Sequence, residues 1–128
     1  MIKSDQLFRR FSFENVLIFS FSVAVLRWLL LARLESGIWI LICQILHAVT
    51  YGSFHMASIL YVDHLSPPQV KTTGQAVNNA VTYGLGLTVG FFFSGSLYEA
   101  LGAPFLFALS ALIALVGGGL MVVFNPKP

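Results

Sequence analysis

The stretch Gly37-Ile-Trp-Ile-Leu-Ile-Cys-Gln-Ile-Leu-His-Ala-Val-Thr-Tyr-Gly-Ser-Phe-His-Met-Ala-Ser-Ile-Leu-Tyr-Val62 decides the fold. It is an apolar run longer than the roughly 20 residues that a membrane-spanning helix needs. Five of its polar members share one face. Gln44, His47, Tyr51, His55 and Ser58 follow one another at steps of 3, 4, 4 and 3 residues. At about 100° per residue they fall within an arc of about 80°. A strand would alternate with period two, so this pattern is helical. A polar face on a membrane helix looks at a cavity or at a neighbouring helix. Two histidines on it add groups that titrate near neutral pH. The alternative role of the stripe is hydrogen bonding to adjacent helices.

Three further segments have the same length and apolar character, over residues 13–34, 75–98 and 103–124, with the first run bounded by 37–62 between them. The composition agrees: of 128 residues, 57% are hydrophobic and 9% charged, and the mean hydropathy is +0.84. A soluble domain carries roughly 25% charged residues. Too few charges remain to cover a water-soluble globule, which excludes a soluble enzyme and a disordered chain. A formal net charge of +2 leaves no basic face for nucleic acid. One cysteine, Cys43, excludes an internal disulfide framework and a cysteine-cluster metal site. His47 and His55 lie about 12 Å apart along a helix with no third ligand in view, so no metal site is expected. No phosphate loop, Ser-His-Asp or His-Glu-x-x-His arrangement occurs, and neither a cofactor nor an enzymatic activity is expected. The first segment is too long for a signal peptide, contains Arg27 and is not followed by an A-x-A site.

The connections predict an all-α, up-down arrangement of four transmembrane helices in one partial transmembrane domain covering residues 1–128. The first and third turns are short, at Glu35–Ser36 and residues 99–102. The middle connection, from Asp63 to Gly74, is longer and contains Pro67 and Pro68. Lys3, Arg9, Arg10, Lys71 and Lys127 then lie on one side and Arg33 on the other. This bias places both termini in the cytoplasm.

Arg27 lies within the first segment, about 10 Å from its outer end. Two readings stand: its guanidinium snorkels to the interface, or it turns inward to bind an anionic group. His47 lies about 15 Å from the same side on a helix joined to the first by a tight turn. Both groups can therefore meet at one cavity open to the outside. In the third segment Gly86 and Gly90 form a G-x-x-x-G suited to close helix packing. Asn78 and Asn79 lie near its inner end, and Tyr83 extends that polar face one turn further. The fourth segment reads as a peripheral helix weakened near its inner end by Gly117, Gly118 and Gly119.

Gln44-Ile-Leu-His47-Ala, Tyr51-Gly-Ser-Phe-His55-Met-Ala and Tyr61 resemble the tenth helix of proton-linked carriers of the major facilitator superfamily. The nearest branch is the phenylpropionate permease type, beside the nucleoside and oligosaccharide proton symporters. Gly74-Gln75-Ala76 resembles the entry to the eleventh helix. Gly95-Ser-Leu-Tyr98-Glu99-Ala-Leu-Gly102 resembles the turn into the twelfth. Gln6-Leu-Phe-Arg9-Arg10-Phe-Ser resembles the inner loop before the ninth. The resemblance is collective and covers nearly the whole chain.

It implies that the chain is a carboxyl-terminal fragment equivalent to helices nine to twelve of a twelve-helix carrier in the cell inner membrane. Such a carrier works by alternating access around a midplane site, here by proton-coupled symport of a small organic solute. Arg27 and His47 match an arginine in helix nine and a histidine in helix ten of lactose-permease-like symporters. That family's carboxylate one turn after the histidine is replaced here by Thr50. Arg27, Gln44, His47, Tyr51 and His55 are the expected substrate or proton pathway. The expected partners are the lipid bilayer, the solute, protons and the remaining helices of a full-length carrier. With those helices absent, the polar face of the second segment is expected to stand exposed. Two alternatives are a complete four-helix transporter of the small multidrug-resistance kind acting as a homodimer, and a non-functional remnant. The former needs a membrane-embedded glutamate in its first helix, whereas Glu14 lies at the edge of the segment.

Overall fold

The structure, a computed structural model, describes residues 12–124. Lys3, Arg9, Arg10 and Lys127, which weigh most in the charge bias, lie outside the described residues, as does the segment from Gln6 to Phe11. Helix α1 runs Phe13–Leu31. Ser12 caps it by accepting a hydrogen bond from the Asn15 amide at 3.3 Å, and Glu14 in the first turn complements the helix dipole. The helix is shorter than the expected 13–34. Its last turn tightens instead, with the Arg33 and Leu34 amides both donating to the Leu30 carbonyl.

Helix α2 runs Gly37–Leu65, three residues past the expected end at Val62. Pro67 acts only on the residue before it, so Ser66 turns extended (φ −85°, ψ 131°) while Asp63 and His64 stay helical. A 3₁₀ turn over Pro68–Val70 leads into α3, Lys71–Asn79. The helix thus starts at Lys71 rather than at Gln75. Lys71, Thr72 and Thr73 are polar enough to suggest a loop but occupy a helix end, where polar side chains reach water. A π-helical stretch, Ala80–Leu85, follows and continues into α4, Gly86–Val123.

Among the described residues there is no strand. Three helices are long and apolar enough to cross a membrane: Phe13–Leu31, Gly37–Leu65 and the 56-residue run Pro68–Val123. The last run contains both the third and the fourth expected segments. Drawn straight it would extend about 84 Å, far beyond the roughly 30 Å of hydrocarbon. It is interrupted at Gly102, whose φ of 73° and ψ of 170° are not helical. Only glycine adopts this conformation without strain, and Pro104 has no amide hydrogen for the Ala100 carbonyl. The expected turn over residues 99–102 is therefore compressed to its last residue. The stretches on either side of Gly102 line one cleft of about 650 Å³, with Leu85, Val89 and Phe93 on one wall and Leu106, Leu109 and Ile113 on the other.

Helices α1 and α2 run antiparallel: Phe13 lies against His64, with ring centroids 6.1 Å apart, and Ser20 Oγ is 2.8 Å from Ser53 Oγ. The second half of α4 packs on α1 rather than standing peripheral. Gly117 and Gly118 receive the Phe21 ring, and a Cβ on Gly117 would come within 2.9 Å of Phe21 Cε1. A small core of Val16, Leu17 and Ala57 forms where α1, α2 and this half meet, covered by Phe54, Tyr61 and Met121. Most other large apolar side chains are exposed, including Phe91, Phe92 and Phe93.

Candidate functional site: a polar helix face beside a buried arginine

Helix α2 presents two faces. Cys43, Thr50 and Ala57, seven residues apart, are buried. The polar stripe lies about a quarter turn away from them. Gln44, His47 and Tyr51 are exposed, and His55 and Ser58 are half-buried. The rings form a ladder along the helix. His47 and Tyr51 have centroids 5.9 Å apart at 46°. Tyr51 and His55 are also 5.9 Å apart and nearly parallel at 2°. Both spacings fall within the range of aromatic pairing. From α2 the ladder passes to another element: His55 Nδ1 is 2.7 Å from the Tyr83 hydroxyl on the π-helical stretch. Gln44 does not join it, and its amide reaches only the Ile40 carbonyl at 3.4 Å.

Thr50 stands where the resemblance places a coupling carboxylate. It is buried on the α1-facing side, and its hydroxyl is near the Leu46 and His47 carbonyls at 2.9 and 3.1 Å. It satisfies its own helix and offers nothing to the stripe.

Arg27 is turned into the helix junction and is 6% exposed. Ser20 and Ser53 are level, so Arg27, seven residues along α1, is level with Leu46, seven residues back along α2. The guanidinium lies within electrostatic reach of Cys43 and His47. Its carbon sits 3.9 Å from the Trp28 ring centroid, and Trp28 in turn stacks on Phe107 at 5.7 Å and 22°. A cation over an aromatic face is stabilised by the ring quadrupole. Its Nε has no hydrogen-bond partner among the described residues. Buried donors of this kind are nearly always paired, so the atom has unused capacity for an acceptor.

The structure therefore brings Arg27 near His47 and joins His47, Tyr51 and His55 in one ladder. Gly86 and Gly90 have open surroundings among the described residues. A Cβ on Gly90 would meet nothing within 4 Å, and one on Gly86 would meet only the Val81 carbonyl at 3.3 Å. Two contributors were not evident in the sequence. The Trp28–Phe107 stack depends on α4 returning to α1, although Trp28 directly after Arg27 is a local signal for a cation–π contact. The π-helical register that carries Tyr83 has no recognisable sequence mark.

The MFS_1 like family matches residues 1–109. The chain therefore belongs to this family of major facilitator membrane transporters. Over 112 residues it is 34% identical to a protein of Escherichia coli (strain K12), the probable 3-phenylpropionic acid transporter. That match covers 88% of this chain and 29% of the relative, so the chain spans less than a third of that protein's length. No solved structure matches.

Proposed function

We propose that the chain forms the carboxyl-terminal wall, equivalent to helices nine to twelve, of a secondary transporter. It moves a small organic anion by alternating access and proton symport. The relative's name suggests an arylalkanoate as the solute, which pairs a carboxylate for Arg27 with a ring for the aromatic ladder. The observation that carries this reading is the ladder of exposed His47 and Tyr51 and half-buried His55 beside the buried, incompletely bonded Arg27. An always-charged guanidinium binds carboxylate, and neutral imidazole accepts the accompanying proton. Thr50 supplies no relay carboxylate, so the proton's other partner belongs to the remaining helices.

In this reading four spans cross the bacterial inner membrane up and down, with both termini cytoplasmic. The break at Gly102 and the cleft shared by its two flanks support a reversal there. The bilayer covers the apolar exterior, and the stripe faces the remaining helices of the carrier across the solute cavity.

The test is uptake by a carrier containing this chain, with Arg27→Gln and His47→Gln compared at matched membrane abundance. Loss of one charged hydrogen bond is worth about 1.5–3 kcal/mol, so Arg27→Gln should weaken solute affinity roughly 10- to 100-fold. His47→Gln should retain downhill exchange and lose uphill accumulation. Parent-like accumulation in both variants would reduce the two residues to packing roles.

A further inference from the structure

Among the described residues, Tyr83 is the side chain from another helix that hydrogen-bonds the polar stripe. It sits within the π-helical stretch Ala80–Leu85. Such turns recur at functional sites, because the extra residue re-aims the side chains they carry. Here the stretch aims a hydroxyl at one nitrogen of one histidine. When that hydroxyl donates, Nδ1 is the acceptor and the ring proton stays on Nε2. Tyr51 lies parallel to the same ring and restrains its plane, and it also interacts with the Tyr83 phenol by a side-chain hydrogen bond, so the Tyr83 hydroxyl can donate to His55 while accepting from Tyr51. His55 is thus held at two points: its tautomer by Tyr83 and its orientation by Tyr51. Among the described residues its Nε2 has no hydrogen-bond partner.

We propose that Tyr83 is a positioning residue of the transport site, donating to His55 Nδ1 and so presenting the His55 Nε2–H as a hydrogen-bond donor for an anionic solute. The inference rests on the reading of the α2 stripe as a solute wall. It adds a residue on the following helical run, so that solute binding depends on the contact between α2 and the π-helical stretch. His47, by contrast, has no such partner in the described structure and stays free to change tautomer or charge. The two histidines of one stripe thereby take different tasks: His55 fixed as a donor, His47 free to take up a proton.

Two measurements test this. Nitrogen-15 histidine NMR of a carrier containing this chain, in lipid bilayers, reads the tautomer of His55, with His55→Gln identifying its signals. The parent should show the Nε2–H form, and Tyr83→Phe, which keeps the ring and removes the hydroxyl, should show a mixture. Unchanged tautomer populations in Tyr83→Phe overturn the proposal. The second measurement is uptake of 3-phenylpropionate by a carrier containing this chain. Tyr83→Phe should raise KM about five-fold, the worth of one neutral hydrogen bond, with the maximal rate retained. Added to His55→Gln it should cause no further change, because it acts through that residue. An unaltered KM, or an equal and independent loss on the His55→Gln background, contradicts it. If Arg27→Gln and His47→Gln also leave uptake unchanged, the solute wall itself is wrong. If they impair uptake and Tyr83→Phe does not, only the role of Tyr83 falls.

Discussion

A charged side chain in the middle of a membrane span costs about 2.5–3.5 kcal/mol on insertion scales. At Arg27 the contact with Trp28 offsets part of that cost, and the unpaired Nε leaves room for an anion. Lysine would not substitute. Its ammonium is a compact charge that neither stacks on the indole nor offers a planar fork. Arg27→Lys should therefore weaken solute binding by roughly ten-fold despite the retained charge, read as KM at matched abundance. The sequence singles out Arg27 readily, because one guanidinium stands alone in an apolar run. Whether it snorkels or turns inward was not legible, since that depends on Phe107, eighty residues away, returning to hold Trp28. The stripe from Gln44 to Ser58 was legible as one face from its spacing. Its subdivision was not: the ladder excludes Gln44 and recruits Tyr83 through a register that local sequence does not mark.

At the scale of elements, two glycine sites make separate predictions. Gly102 holds a φ of 73°, where a Cβ is strained. Gly102→Ala should cost about 1–3 kcal/mol and loosen the reversal at that point. A lowered melting temperature of the chain in detergent, followed by helical circular dichroism, measures it. Gly117 is instead a packing site, and Gly117→Leu would drive a side chain into the Phe21 ring. Overpacking of this kind costs about 1–3 kcal/mol, and Phe21→Ala in the same chain should relieve much of it. The helices themselves were evident because apolar runs of spanning length leave few alternatives. Their ends were less so. Polar residues such as Asp63, His64 and Lys71 suggest loops by composition, yet helix ends at a membrane surface accept them. Lys71 and Asp63 meet there in an ion pair at 2.6 Å, exposed enough that its worth is at most about 1 kcal/mol.

For the molecule as a whole, the buried core is small and the exposed apolar surface large. That balance suits helices that meet lipid on one side and further helices on the other. The orientation argument predicts that a reporter active only outside the cytoplasm is silent when fused after Pro128 and active when inserted between Glu35 and Gly37; the reverse pattern would overturn it. Overall class was legible because composition alone demands a membrane, and the family resemblance placed the chain within a carrier. The solute was not, because a carrier's midplane site is built between structural repeats, and the chain spans less than a third of the relative's length. The central claim is that the α2 stripe lines a solute-filled aqueous cavity. Its most direct test replaces the buried Cys43 by serine and introduces single cysteines through Tyr51→Cys and, on the exposed apolar surface, Phe91→Cys in a carrier containing this chain. A membrane-impermeant maleimide reads which thiols meet water. The account predicts rapid labelling at position 51, slowed by added 3-phenylpropionate, and little labelling at position 91. Absence of labelling at position 51, or labelling that the solute leaves unchanged, would contradict it.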